Sequence, residues 1–141
     1  MTMDLAYLIT PGLAWLCAGS LKFVINSIKA RQWAFGLIGY GGLPSNHSAI
    51  VSSMAALIAL REGLAAPAFG VALTLAFIVL LDANSLRRQV GRQAAQINRL
   101  AARQGESPDL RERMGHTPLE IAAGILVGLL VAWLVNQLPW V

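Results

Sequence analysis

Four charge-poor apolar segments, at 5–28, 44–60, 64–81 and 119–138, make up most of this 141-residue chain. An apolar stretch of about 17–25 residues matches the hydrocarbon thickness of a bilayer. In lipid such a stretch satisfies its backbone only as a helix or a closed barrel, and isolated apolar blocks exclude the barrel. The expectation is an all-α fold: a polytopic membrane helix bundle of about four transmembrane helices, in one domain spanning 1–141. The chain is 13% charged, against about 25% in a soluble domain, which agrees. Pro11 and Gly12 predict a kink in the first segment. No basic region precedes that segment, so it is expected to be retained rather than cleaved. The second, with about 17 residues, is near the lower limit for a span. The lone Cys17 has no partner for a disulfide or a zinc site and is expected to be a small buried hydrophobe.

The stretch "DANSLRRQVGRQAAQINRLAARQ" from Asp82 breaks this pattern. Leu86, Val90, Ala94, Ile97 and Ala101 recur at helical spacing, among Arg87, Arg88, Arg92, Arg99 and Arg103. This predicts a cytoplasmic helical extension after the third span, or an amphipathic helix at the membrane interface. With four spans, Lys22, Lys29, Arg31, Arg87, Arg88, Arg92, Arg99, Arg103, Arg111 and Arg113 share one face, and Arg61 alone is on the other. The positive-inside rule makes the ten-cation face cytoplasmic, with both termini on the opposite side, as in a bacterial inner membrane protein. The net charge of +4 is then juxtamembrane charge that meets membrane lipids, with no call for a nucleic acid.

Three polar clusters fall on that face. In "GGLPSNHSA", Ser45 or Asn46 is placed to cap the second helix, and the N–H groups of its first turn offer an anion site. His47 either lies at the interface or donates a proton to a phosphate ester. In "GHTPLE", Thr117, Pro118 and Glu120 make a capping box. His116 precedes the cap, and Glu120 four residues on can orient its imidazole, so the two roles compete for one carboxylate. Asp82 ends an apolar run and is expected to pair with Arg87 or Arg88. Those two arginines, with Arg92, are candidates for a phosphate site, and lipid-facing charge is their other reading. Lys22 either snorkels or serves the pocket.

"PSNH" resembles the "PSGH" element of the type 2 phosphatidic acid phosphatase and vanadium haloperoxidase superfamily. "GGLPSNHSA", "DANSLRRQVGRQAAQIN" and "GHTPLE" together resemble its divergent small bacterial and plastid branch, over residues 20–130. The resemblance implies a metal-independent phosphatase with no cofactor, acting on a lipid phosphate. His116 would be the nucleophile that becomes a phosphohistidine, oriented by Glu120, and His47 the general acid. Ser45 and the Asn46 backbone would hold phosphate oxygens, and Lys22 and Arg31 would stand for the superfamily's first Lys…Arg element. The sequence departs from the superfamily at three places: Arg31 has no following proline, Leu110 occupies an arginine position, and Asn46 replaces a small residue. Arg87 or Arg88 would substitute for the missing arginine. Four spans where the superfamily has six raise a homodimer as the completing partner, and Gly124 and Gly128 would permit close helix packing. The alternatives are a non-enzymatic membrane protein that binds or moves anionic lipid, and a metal site built on Asp82 and Glu120.

Overall fold

A computed structural model describes residues 5–31, 33, 42–106 and 109–139. The described chain is helical: α1 (Ala6–Ala30), α2 (Asn46–Glu62), α3 (Pro67–Leu81), a π-helical turn (Asp82–Leu86), α4 (Arg87–Arg103) and α5 (Pro118–Gln137). Three helical stretches are long and apolar enough to cross a membrane: Ala6–Ala30, Pro67–Arg103 and Pro118–Gln137. The expected fourth, α2, falls short, and its composition explains why. It has 17 residues and carries Ser48, Ser52 and Ser53 among its buried positions.

Those serines suit an interior helix rather than a lipid-facing one. Ser52 Oγ donates to Ser48 O at 2.6 Å and Ser53 Oγ to Ile50 O at 2.8 Å. Each hydroxyl is therefore satisfied within its own helix, and α2 can be surrounded without stranding a polar group. It packs on α1, α3 and α5.

The core between the helices is built from small side chains. Ala6, Ala14, Ala18, Ala49 and Ala132 are buried there, with Leu57, Val131 and Val135 the bulkier members. The large apolar residues point outward: Leu8, Trp15, Val71, Phe77, Leu126 and Trp133 are all exposed. This inversion of a soluble core is what lipid favours, because burying Leu against Leu gains little over Leu against acyl chains. Close approach of backbones supplies the attraction instead. Cys17 belongs to the outer set, being exposed, which corrects the expectation of a buried thiol. Ala14 and Ala18 take the inward face of α1, and position 17 is one step round the helix from Ala18.

Gly124 and Gly128 of α5 make the closest of these approaches. A Cβ on Gly124 would strike the Ser45 carbonyl oxygen and lie 2.8 Å from Ser48 Cβ. One on Gly128 would strike Ser52 Oγ and lie 2.5 Å from the Ala49 carbonyl oxygen. The glycine pair is thus consumed inside the chain and is not a free dimer face.

The direction of the helices follows from contacts at the two ends of α2. Ser45 N–H donates to Glu120 O at 2.9 Å at one end, and Arg61 Nε donates to Asn136 Oδ1 at 3.1 Å at the other. So α2 and α5 run parallel. The Arg61 guanidinium also stands over the Tyr7 ring, which makes α1 antiparallel to both. α3 runs back from the Arg61 end and continues through the π turn into α4 without leaving helical structure. Residues 109–116 run back along α4 without regular secondary structure. Asn98 Nδ2 donates to Leu110 O, and the Glu112 carbonyl lies against Gly91. The return brings His116 to the π turn.

Candidate functional site

The N-termini of α2 and α5, the first turn of each, lie side by side at the level of the π turn. In α2, Ser45 is the N-cap: its Oγ accepts from Ser48 N at 3.3 Å and from Ser48 Oγ at 2.9 Å. The hydroxyl is completely buried, so the cap consumes it. In α5, Thr117 Oγ1 accepts from Glu120 N at 3.3 Å, and Glu120 Oε2 accepts from Thr117 N at 3.0 Å, completing the capping box. Two helix N-termini at one place concentrate positive dipole ends, a natural anion site.

His116 is held from both its main chain and its ring. Its N–H donates to Ala83 O at 2.9 Å, and its Nδ1 faces Glu120 Oε2 at 3.0 Å. The competition between capping and orienting is therefore resolved by sharing: one carboxylate oxygen serves both Thr117 N–H and His116. With Nδ1–H donated to the carboxylate, the lone pair is on Nε2. His116 is 8% exposed, so little solvent reaches the ring.

His47 occupies the first turn of α2, with its ring centroid 6.2 Å from that of His116 and the planes tilted by 55°. The two imidazoles are thus direct neighbours at the helix N-termini. Arg87 Nη2 lies 3.3 Å from His47 Nε2. A guanidinium only donates, so in this contact Nε2 accepts and the ring proton sits on Nδ1. His47 Nδ1 and Asn46 Oδ1 are buried with no hydrogen-bond partner. Buried polar groups left unpaired cost about 1–3 kcal/mol each, a cost that a ligand or water at the site removes.

The π turn explains which arginine arrives. Arg87 Nε pairs with Asp82 Oδ2 at 3.3 Å, an i,i+5 contact. In a regular α-helix residues five apart point about 140° apart. The wider π turn, in which Arg87 N–H donates to Asp82 O, stacks them. Arg88 points elsewhere, lining an open depression with Asn84, Ser85, Gln89 and Arg92. Lys22 of α1 is near enough for its charge to act on both Glu120 and His47. Arg31 ends α1 with a left-handed cap, φ 52°, and is exposed.

The structure thus gathers His47, His116, Glu120, Arg87, Asp82 and Asn46, with Lys22 within electrostatic range and Ser45 as the buried cap beneath them. Sequence reasoning passed over the Ala83 carbonyl and the Asn46 side chain. The first has no side-chain signal, and the second is expected as a cap or through its backbone, whereas Ser45 is the cap and the buried Asn46 Oδ1 is left unpaired. Among the described residues no group of three or more His, Cys, Asp or Glu gathers to hold a metal ion.

Comparison with known proteins identifies the family of the chain. A family model described as the divergent PAP2 family matches residues 3–131. The uncharacterized membrane protein YuiD of Bacillus subtilis (strain 168) is 33% identical over 135 residues, covering 84% of this chain and 85% of that protein. No solved structure matches the chain. The chain belongs to the divergent PAP2 family and is a membrane protein.

Proposed function

We propose that this member of the divergent PAP2 family is a metal-independent phosphatase. Its substrate is a phosphomonoester or diphosphate on a lipid, such as phosphatidic acid or phosphatidylglycerol phosphate. The observation that carries the reading is the His116–Glu120 dyad facing His47 across 6.2 Å. His116 Nε2 attacks phosphorus as the ester P–O bond breaks, and His47 delivers a proton to the departing alcohol. Water then attacks the phosphohistidine, its proton goes to His47, and inorganic phosphate leaves.

Arg87 and Lys22 hold the phosphate oxygens, aided by the N–H groups of the α2 first turn. An entering phosphate draws the Arg87 fork away from His47 Nε2, which frees that nitrogen to take up and deliver the proton. Arg87 also supplies the cation that Leu110 leaves missing from the superfamily pattern.

In the membrane, α2 crosses alongside the three longer helices, at about 26 Å for 17 residues. The charge bias supports a cytoplasmic face for the site, with both termini on the other side. The second reading, a lipid-binding protein without turnover, is favoured by that same Leu110. Phosphate release from a panel of lipid phosphates separates the two. Release that His116→Ala abolishes, with the protein still folded, supports the enzyme. No release from any lipid phosphate by the intact protein establishes the binding protein.

A further inference from the structure

Gly91 lies within α4, although glycine is the poorest helix former after proline. The reason for it is outside the helix. A Cβ on Gly91 would strike the Glu112 carbonyl oxygen and lie 3.3 Å from Met114 N. Those two atoms close one tight turn, in which Met114 N–H donates to Glu112 O at 3.0 Å. About two turns further along α4, Asn98 grips the same segment with its side-chain amide. Its Oδ1 accepts from Leu110 N–H at 3.2 Å, and its Nδ2 donates to Leu110 O and to Glu112 Oε1, each at 2.9 Å. Both amide protons of Asn98 are thereby used. Nearer the site, a Cβ on Gly115 would lie 2.6 Å from Arg88 Cγ, and His116 N–H donates to Ala83 O.

These contacts come in order. Leu110, Glu112, Gly115 and His116 meet Asn98, Gly91, Arg88 and Ala83 in turn, so the segment is laid antiparallel along one side of the helix. Gly91, Ala94, Asn98 and Ala101 recur at the spacing 3, 4, 3 that defines a single helical face. Gly91, Ala94 and Ala101 are buried. The last residue set down on this track is His116, whose Nδ1 must meet Glu120 Oε2.

We infer that Gly91 and Asn98 are positioning residues for His116, acting through the 109–116 segment. Met114 is two residues from the histidine, and the one residue between them has no room to absorb a shift. Gly115 is at φ 90° with Arg88 packed against it. An α4 that served only as a surface helix would gain from alanine at 91 and would leave the Asn98 amide to water.

The test uses the full chain in bilayer nanodiscs with isotope-labelled histidine, as Gly91→Ala, Asn98→Ala and the control Ala102→Gly. Ala102 is on the exposed side of α4, so the control weakens the helix without touching the segment. Restoring ordinary contact at Gly91→Ala moves the Glu112 carbonyl by about 1 Å. A shift of that size, remote from the chemistry, costs up to about 10²-fold in rate. In phosphate release from lipid phosphates, kcat of Gly91→Ala is expected to fall about 10- to 10²-fold with KM nearly kept, although alanine is the better helix former. Asn98→Ala, which removes an exposed side chain and folds without a clash, is expected to lose kcat severalfold. Ala102→Gly is expected to keep it. Nitrogen NMR of the His116 ring, assigned with His47→Gln, reads the same displacement without turnover. The intact chain is expected to show the Nδ1–H tautomer alone, and Gly91→Ala and Asn98→Ala a mixture of the two tautomers. Ring signals that stay those of the intact chain in both variants overturn the inference. So does an equal loss of kcat in Ala102→Gly, since the stability of α4 would then be the cause. The effect on turnover rests on the phosphatase reading, whereas the setting of the ring does not. An intact chain that releases no phosphate overturns that reading alone, and the ring signals then decide the positioning.

Discussion

Gly124→Ala adds one methyl group at the point where α5 meets the start of α2. The new Cβ would strike the Ser45 carbonyl oxygen and lie 2.8 Å from Ser48 Cβ. Carbon atoms in ordinary contact sit about 3.5–4.0 Å apart. Both neighbours belong to the capped first turn, so neither can swing aside as a long side chain would. The α2 N-terminus must therefore retreat by about 1 Å. Overpacking of this kind costs about 1–3 kcal/mol, and the Ser45–Glu120 main-chain bond at 2.9 Å stretches with it. His47 rides on that turn, so its distance to His116 grows as well. A 1 Å misplacement of a catalytic group costs about 10²-fold in rate. The assay is thermal unfolding of the purified protein together with phosphate release from lipid phosphates. The control is Gly128→Ala, one turn further along the same contact, with a comparable clash but no histidine beside it. Both variants are expected to lose several degrees of Tm, and Gly124→Ala to lose more turnover at saturating substrate. An unchanged Tm and rate for Gly124→Ala would refute the close approach and the route from packing to catalysis.

Thr117→Ala removes the cap hydroxyl and leaves the His116–Glu120 contact, so a loss of about 1 kcal/mol in stability with kcat nearly kept is expected. Glu120→Gln keeps the shape of the box but weakens the support of the imidazole, so kcat should fall by at least about 10²-fold with a smaller loss of stability. The two variants together, measured by unfolding and kinetics, test whether one carboxylate does both jobs. Arg87→Lys keeps a charge but loses the fork that spans Asp82 and His47, and a raised KM is expected. Complete chelation of divalent metal should leave phosphate release unchanged; loss that added metal restores would point to a site on Asp82 and Glu120.

The helices were legible in the sequence to within a few residues, because apolar blocks in lipid have one way to satisfy their backbone. The length and apolar residues of α2 predict a span, but not that it would sit inside the bundle. Its serines are the signal of an interior helix, but they become readable as such only once their bonds to Ser48 O and Ile50 O are seen. The His116–Glu120 pairing could be read because His116 immediately precedes the Thr117 cap, and Glu120 at the third helical position reaches back across it. The choice between Arg87 and Arg88 could not, since a regular helix puts neither one over Asp82. It takes the π turn, and "DANSL" carries no proline or glycine to announce it. Gly124 and Gly128 signalled close packing correctly in kind, but sequence cannot name the partner surface, which proved to be α2.

Two main-chain hydrogen bonds set the frame of the site: Ser45 N–H to Glu120 O, and His116 N–H to Ala83 O. Peptide groups are present at every position whatever the side chain, so point substitution cannot delete these ties directly, proline at a donor excepted. The frame can therefore outlast the motif written on it. Side chains around the site can be exchanged one at a time while the main chain that carries both imidazoles stays tied at the same two points.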